Sequence, residues 1–370
     1  MNIKTITCHD VYNYGASLQA YALQEYLTKL GHNVEIIDYK PEYLQRTYNF
    51  WYIPLNAKYY KLTQKSKLMH LFFAVMRLKK TYATRGRIKP FKLFKKKYLH
   101  LTTTYYNYKQ LYSTPPKASV YIAGSDQIWN TKLPNGKDPA FYLGFGDSKV
   151  KKISYAASFG ITEIEPSESI KNYLQNFDAI SVREKSGIKV LSQLGLHGES
   201  VMDPVFLLEK EQWTNLLSPL PKEIKSDYIL IYDIFQDNAA LKKTALLLSK
   251  KFNLPIVSIN DKKKLSYADI NISNGGPLEF LSLIYSAKYV ISCSFHATAF
   301  ALIFNKPFFV FYQKNNISRM ADLLKEVRLE FCLNPQILDI NFNWQEVNHH
   351  IELLKEKSKS FLREHINDTH

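Results

Sequence analysis

Apolar and polar positions in the first forty residues switch between two periods. NIKTITC at 2–8 reads as a short strand and YNYGAS at 12–17 as a turn. Leu18, Tyr21, Ala22, Tyr26 and Leu30 then recur at helical spacing up to Gly31, a natural helix stop. NVEIIDY at 33–39 predicts a second strand. A strand, loop, helix and strand in this order form a βαβ unit, which requires a parallel sheet covered by helices. The rhythm resumes in ASVYIAGSDQIWN at 118–130, KKISYAASFG at 151–160 and FDAISVREKSGIKVLSQLG at 177–195. In the last of these a strand ends near Arg183, and Ile188, Leu191 and Leu194 line a helix. ESVMDPVFLL at 199–208 predicts a strand broken at Asp203-Pro204.

A second alternating series starts with YILIYDI at 228–234, beyond a polar bridge containing Pro219 and Pro221. It continues through a helix at 242–252, the strand PIVSIN at 255–260, GPLEFLSLIYSA at 276–287, YVISCSFHATAFALIFN at 289–305 and PFFVFYQ at 307–313. The expected fold is α/β, with two Rossmann-like domains spanning 1–215 and 225–335 and a ligand cleft between their sheets. Residues 336–370 are expected to close the chain with a helix, carrying Leu353, Leu354, Phe361 and Leu362, that packs back on the first domain. About 41–110 breaks the rhythm and is expected to be an aromatic and Lys-rich helical insertion. Two accounts of it stay open. Either its Lys face is solvated while its aromatic face packs on its own domain, or both faces meet a membrane surface or a lipid-linked acceptor.

Charge sharpens that choice of partners. The chain has 370 residues and a formal net charge of +16, supplied mostly by Lys. Such a field attracts anionic lipid, anionic small molecules or nucleic acid. Scarce Arg and the lack of an Arg-rich helix argue against a nucleic-acid partner. The three cysteines, Cys8, Cys293 and Cys332, form neither a disulfide framework nor a zinc pattern, which favours a reducing compartment. The start of the chain lacks a signal-peptide apolar run, and LMHLFFAVM at 68–76 is far short of the ~20 residues of a membrane span. A cytoplasmic location is expected, with peripheral contact to the inner membrane face.

The densest chemistry lies where strands yield to helices. In SCSFHATAFALIF at 292–304, His296 stands at a helix start, where free N–H groups and the helix dipole favour an anion. Ser292 and Ser294 offer hydroxyls beside it. Arg183, in ISVREKSG, suits a carboxylate clamp, or else a salt bridge to Glu184. Arg319, in NNISRMADLL, either reaches a phosphate or is an ordinary surface Arg. The loop AGSDQIWN offers Ser125, Asp126, Gln127 and Asn130 to sugar hydroxyls and Trp129 as an apolar platform. Asp126 is the candidate base there, an Asx-type cap being its plainer role. His9, Asp10, Asn13 and Tyr14 in the first loop point to the same expected cleft. GxGxxG, HExxH, P-loop and GxSxG elements are all missing from the sequence.

Taken together, YNYGASLQAYAL, AGSDQIWN, SYAASFG, SVREKSG, DPVFLL, GPLEFL, SFHATAFALIFNKPFF and SRMADLL resemble the polysaccharide pyruvyltransferase family over most of the chain. The 41–110 stretch is the least family-like part. Ala297 stands where the family usually has Gly after the motif His. The resemblance implies a GT-B-like arrangement of the two domains, with phosphoenolpyruvate as donor substrate and no cofactor. It implies as acceptor a hexose of a surface polysaccharide or its lipid-linked precursor, and as product a cyclic ketal plus phosphate. The family's donor-binding His and Arg fall on His296 and Arg183. Two rival readings remain: a GT-B-like glycosyltransferase using a nucleotide-sugar, for which Glu279 would hold the ribose, and a non-catalytic protein binding anionic glycan or lipid. Oligomeric state is left open.

Overall fold

The computed structural model describes residues 1–45, 66–76, 78–164, 167–234, 238–260, 264–312, 317–338 and 341–367. Two five-stranded sheets organise them. The first contains β1 (Asn2–Ile6), β2 (Asn33–Tyr39), β3 (Leu101–Tyr105), β4 (Val120–Ala123) and β5 (Lys151–Ser154) in the order β3-β2-β1-β4-β5. The short pair β6 (Ser181–Val182) and β7 (Glu199–Ser200) continues beyond β5 through bridges at Ala179 and Val182. The second sheet contains β8 (Ile229–Tyr232), β9 (Ile256–Ile259), β10 (Ile270–Ile272), β11 (Tyr289–Ser292) and β12 (Phe308–Val310), ordered β10-β9-β8-β11-β12. Every pairing is parallel. Central strands such as ILIY of β8 are buried at every position, as a sheet covered on both faces demands.

In each sheet the strand order reverses beside the first strand, between β1 and β4 and between β8 and β11. Those are the switch points where an open α/β sheet leaves a crevice at its carboxyl edge. One apolar cluster runs through both halves. Tyr14, from the helix Tyr14–Lys29, stacks on Phe280 with ring centroids 4.6 Å apart, and its hydroxyl donates to the Gly275 carbonyl at 3.2 Å. Trp213 meets Phe300 edge-on at 4.9 Å. The closing helix Trp344–Asn367 lies on the first half: Ser358 Oγ accepts the Met202 N–H at 2.9 Å, and Phe361 packs against Tyr155.

The stretch expected to be an insertion needs correcting. Leu101–Tyr105 is a strand of the main sheet, paired with β2. Its sequence LTTTY has no apolar run because an edge strand is only half covered, while its β-branched threonines still suit the pleat. The helices Lys67–Met76 and Leu78–Tyr98 precede it. The expected helical character of WYIPL at 51–55 falls outside the described residues.

Candidate active site

The loops after β1, β4, β8 and β11 meet around a cavity of about 360 Å³, so both switch points open into it. Asn13, Asp126, Gln127, Ser294, His296 and Arg319 all reach its wall. Asn13 caps the first helix, its Oδ1 accepting the Ala16 N–H at 3.2 Å. Ser294 caps the helix Phe295–Ile303 and accepts the Ala297 N–H at 3.4 Å. Ala297 is an ordinary buried helix residue without positive φ, so the backbone there makes no demand for glycine.

A carboxylate that the sequence reading passed over lies behind this wall. Asp203, read only as half of a chain break, is buried, and its Oδ2 accepts from Arg183 Nη1 at 2.6 Å. His296 Nε2 stands 3.5 Å from the same oxygen. That is an ion-pair distance, but it makes no hydrogen bond, and Nε2 is a buried nitrogen without a hydrogen-bond partner in the protein. Arg183 Nη2 also reaches Asp126 Oδ1 at 3.3 Å, and its guanidinium covers the Phe295 ring at 4.7 Å. Burial works against the charged form of Asp203, yet His296 and Arg183 together hold its carboxyl well below the usual range. Asp126 is similar: burial opposes ionisation, and Arg183, His296 and Arg319 outweigh it, keeping the carboxyl below its ordinary value. Asp126 sits in the left-handed region at φ 71°, which Asp tolerates better than most residues. Burial, then repulsion from Arg183, pushes Arg319 down to about 10, which leaves it cationic at neutral pH. With its amide oxygen turned toward Arg319, Gln127 accepts from Nη1 at 3.1 Å and Nη2 at 2.5 Å. Cys8 also touches the cavity, but burial and then Asp126 and Asp138 raise its thiol far above the ordinary range, so it offers no thiolate.

Several expected ligand contacts are structural instead. Ser125 is buried and its Oγ donates to the Ala156 carbonyl at 2.8 Å. Trp129 cannot be a sugar platform. It is fully buried, stacked on Tyr142 at 5.7 Å, with Nε1 donating to the Phe141 carbonyl at 2.9 Å. Asn130 is buried and does not line the cavity. Ser292 Oγ is used by the Tyr232 carbonyl at 2.7 Å. His9 is buried against Asp38 at 2.9 Å, Asp10 pairs with Lys95, and Tyr14 joins the two halves as described, so all three leave the cavity. Arg183 is no open clamp, because its side chain is buried and both terminal nitrogens serve carboxylates. Its Glu184 neighbour instead accepts from Ser158 Oγ at 2.9 Å and the Gly160 N–H at 3.1 Å. Glu279, the candidate ribose contact, caps its own helix by accepting the Gly276 N–H at 2.8 Å.

Two doubly wound domains whose switch points share one cavity define the GT-B fold. The S. aureus MnaA–UDP structure matches with a TM-score of 0.50 at 12% identity, covering 96% of this chain and 89% of that one. The Neisseria meningitidis UDP-GlcNAc 2-epimerase bound to UDP-GlcNAc matches at 0.47 and 8% identity, covering 100% of both chains. The glycosyltransferase SnogD from Streptomyces nogalater matches at 0.45 and 11% identity, covering 99% of both. At such identities the likeness concerns the fold alone. Comparison with curated proteins finds none that matches. The chain belongs to the polysaccharide pyruvyl transferase family, whose model matches residues 13–315, well over half of its length. Among the described residues no helix is long and apolar enough to cross a membrane.

Proposed function

We propose that this chain transfers the enolpyruvyl group of phosphoenolpyruvate to a hexose of a surface polysaccharide or its lipid-linked precursor, closing a cyclic ketal and releasing phosphate. The observation that carries this reading is His296, set 3.5 Å from the buried Asp203 carboxylate on the wall of a cavity shared with Arg319 and Asp126. Arg319 and the positive end of the Phe295–Ile303 helix favour a bound anion.

In the proposed reaction a proton is added to the donor's methylene carbon, making a methyl group and leaving the adjacent carbon cation-like. One acceptor hydroxyl bonds to that carbon and gives up its proton. A second hydroxyl of the same sugar then forms the other C–O bond as the bond to phosphate breaks. Phosphate leaves with the electron pair and the remaining proton. His296 exchanges protons with the donor, and Asp126, ionised and open to the cavity, receives the acceptor's proton. Arg319 holds the donor's negative charge, while Arg183 is a positioning residue that fixes Asp126 and Asp203. No metal or redox cofactor enters these steps.

The direct test incubates the protein with phosphoenolpyruvate and a panel of lipid-linked glycans. A product heavier by pyruvic acid less one water, with equimolar phosphate, is expected. Replacing His296 with Ala should remove most phosphate release while leaving the thermal melt within a few degrees. Glycan binding without any phosphate release would leave a non-catalytic binding protein.

A further inference from the structure

The positive charge of this protein is not spread over it. Between Glu42 and Asp126 the sequence contains no acidic residue and 17 Lys or Arg, against 32 Lys or Arg and 33 Asp or Glu elsewhere. One segment therefore carries the entire excess. Its helix Lys67–Met76 exposes Leu68 (81%), Leu71 (46%), Phe72 (55%) and Val75 (48%), residues spaced i, i+3, i+4 and i+7 on a single face. A stripe this apolar is unfavourable in water unless something covers it. The next helix, Leu78–Tyr98, exposes Lys89, Lys92, Leu93 and Lys96 at the same spacing. Its other side is anchored: Phe91 and Phe94 are buried, Arg87 donates to the Tyr12 carbonyl at 2.9 Å, and Lys95 pairs with Asp10.

We infer that these two helices form a docking surface for an anionic phospholipid bilayer. An exposed apolar stripe and a basic one on successive helices fit an interface in which side chains enter the acyl boundary and lysines meet headgroup phosphates. Nucleic acid would satisfy the charge and leave the apolar stripe wet. A second copy of the chain would cover the stripe and bring an equal positive charge against it. The basic helix backs onto the loop after β1, which lines the cavity, so a bilayer would lie about one helix diameter (~10 Å) from that loop.

The test is flotation of the full chain with phosphatidylcholine vesicles, with and without phosphatidylglycerol, in the absence of donor and acceptor. Vesicle partition and phosphate release on a soluble acceptor are separate readouts, so either can fail alone. Flotation with the anionic vesicles at low salt, and its loss at high salt, are expected. Leu71→Glu with Phe72→Glu should abolish it. Lys89→Glu, Lys92→Glu and Lys96→Glu together should weaken it by about a hundredfold or more. The melts of these variants should match wild type because every altered side chain is exposed. Three results overturn the inference: no flotation with anionic vesicles, flotation unchanged by Leu71→Glu/Phe72→Glu, or a wild-type dimer that the same pair converts to monomer without altering flotation.

Discussion

Gly15 lies in the first turn of the helix Tyr14–Lys29, directly beneath the His296 ring from the other half of the molecule. A Cβ there would stand 1.9 Å from His296 Nδ1, 2.3 Å from Cγ and 2.4 Å from Cε1. Ordinary contact starts near 3.4 Å, so Gly15→Ala must push the imidazole by roughly 1.5 Å. Gly15 has no positive φ, and Ala gains ~0.5–1 kcal/mol over Gly inside a helix. Overpacking opposes this by ~1–3 kcal/mol, leaving a net loss of at most about 2.5 kcal/mol and a melt shifted by a few degrees. Activity should respond far more. A misplacement of ~1 Å at a reacting group lowers rates by about 10²-fold, so kcat/KM for phosphoenolpyruvate should fall by that factor or more.

Phosphate release under varied donor, read beside thermal melts of the same samples, separates the two effects. The double variant Gly15→Ala/His296→Ala supplies the internal control. With the ring gone, the added methyl has nothing to displace, so its effect on the residual rate should vanish and the two losses should not add. Turnover of Gly15→Ala within a few-fold of wild type would refute the reasoning, as would full additivity in the double variant.

Arg319→Gln should raise KM for phosphoenolpyruvate by about 10–100-fold with the melt little changed, since one charge-assisted contact of ~1.5–3 kcal/mol is lost; an unchanged KM assigns the donor's charge elsewhere. Asp203→Asn leaves Arg183 buried beside a neutral amide and should destabilise by ~3–5 kcal/mol in denaturant titration. Asp203 and Asp38 are both held below the ordinary carboxyl value, so their stabilisation is complete above about pH 4 and is lost as pH falls toward their folded values. Melts between neutral pH and pH 3 should therefore show stability falling only at the acid end. Trp129→Ala should lower stability by ~3–5 kcal/mol and leave the acceptor KM of the surviving folded protein unchanged.

The fold was legible where burial is two-sided. VYIA and ILIY are buried at every position, and such runs announce central parallel strands. The edge strands LTTTY and INI carried no such mark, and β3 was absorbed into the supposed insertion. His296 and Asp126 were legible because each follows a central strand at a switch point, where topology alone places a residue at the crevice. Trp129 occupies the same loop as Asp126, and the sequence holds no sign that its ring turns inward to Tyr142 and Phe159. Asp203 was missed for a related reason. Its Asp-Pro setting reads as a turn; Arg183 reaches it because β6 pairs with β7, and His296 arrives from a helix of the other half, a convergence that only the packing reveals.

The same packing bears on how the site is assembled. His296 belongs to the second half, whereas Gly15, Asp126, Arg183 and Asp203 belong to the first, so their geometry holds only if the halves keep one arrangement. Sliding them apart would break the Tyr14–Phe280 stack and the Trp213–Phe300 contact, each contributing ~0.5–1.5 kcal/mol beyond its buried area. It would also part Gly86 of the basic helix from Asn274 and Pro90 from Gly276, both so close that a Cβ would collide. The Lys185 N–H would lose Asp322, which it meets at 3.1 Å. Most of these contacts join rings and backbone of the two halves, which give way less readily than long charged side chains. With the halves held so, the proposed donor would meet His296 and Asp203 already in register, leaving the energy of its binding free to act on the transition state.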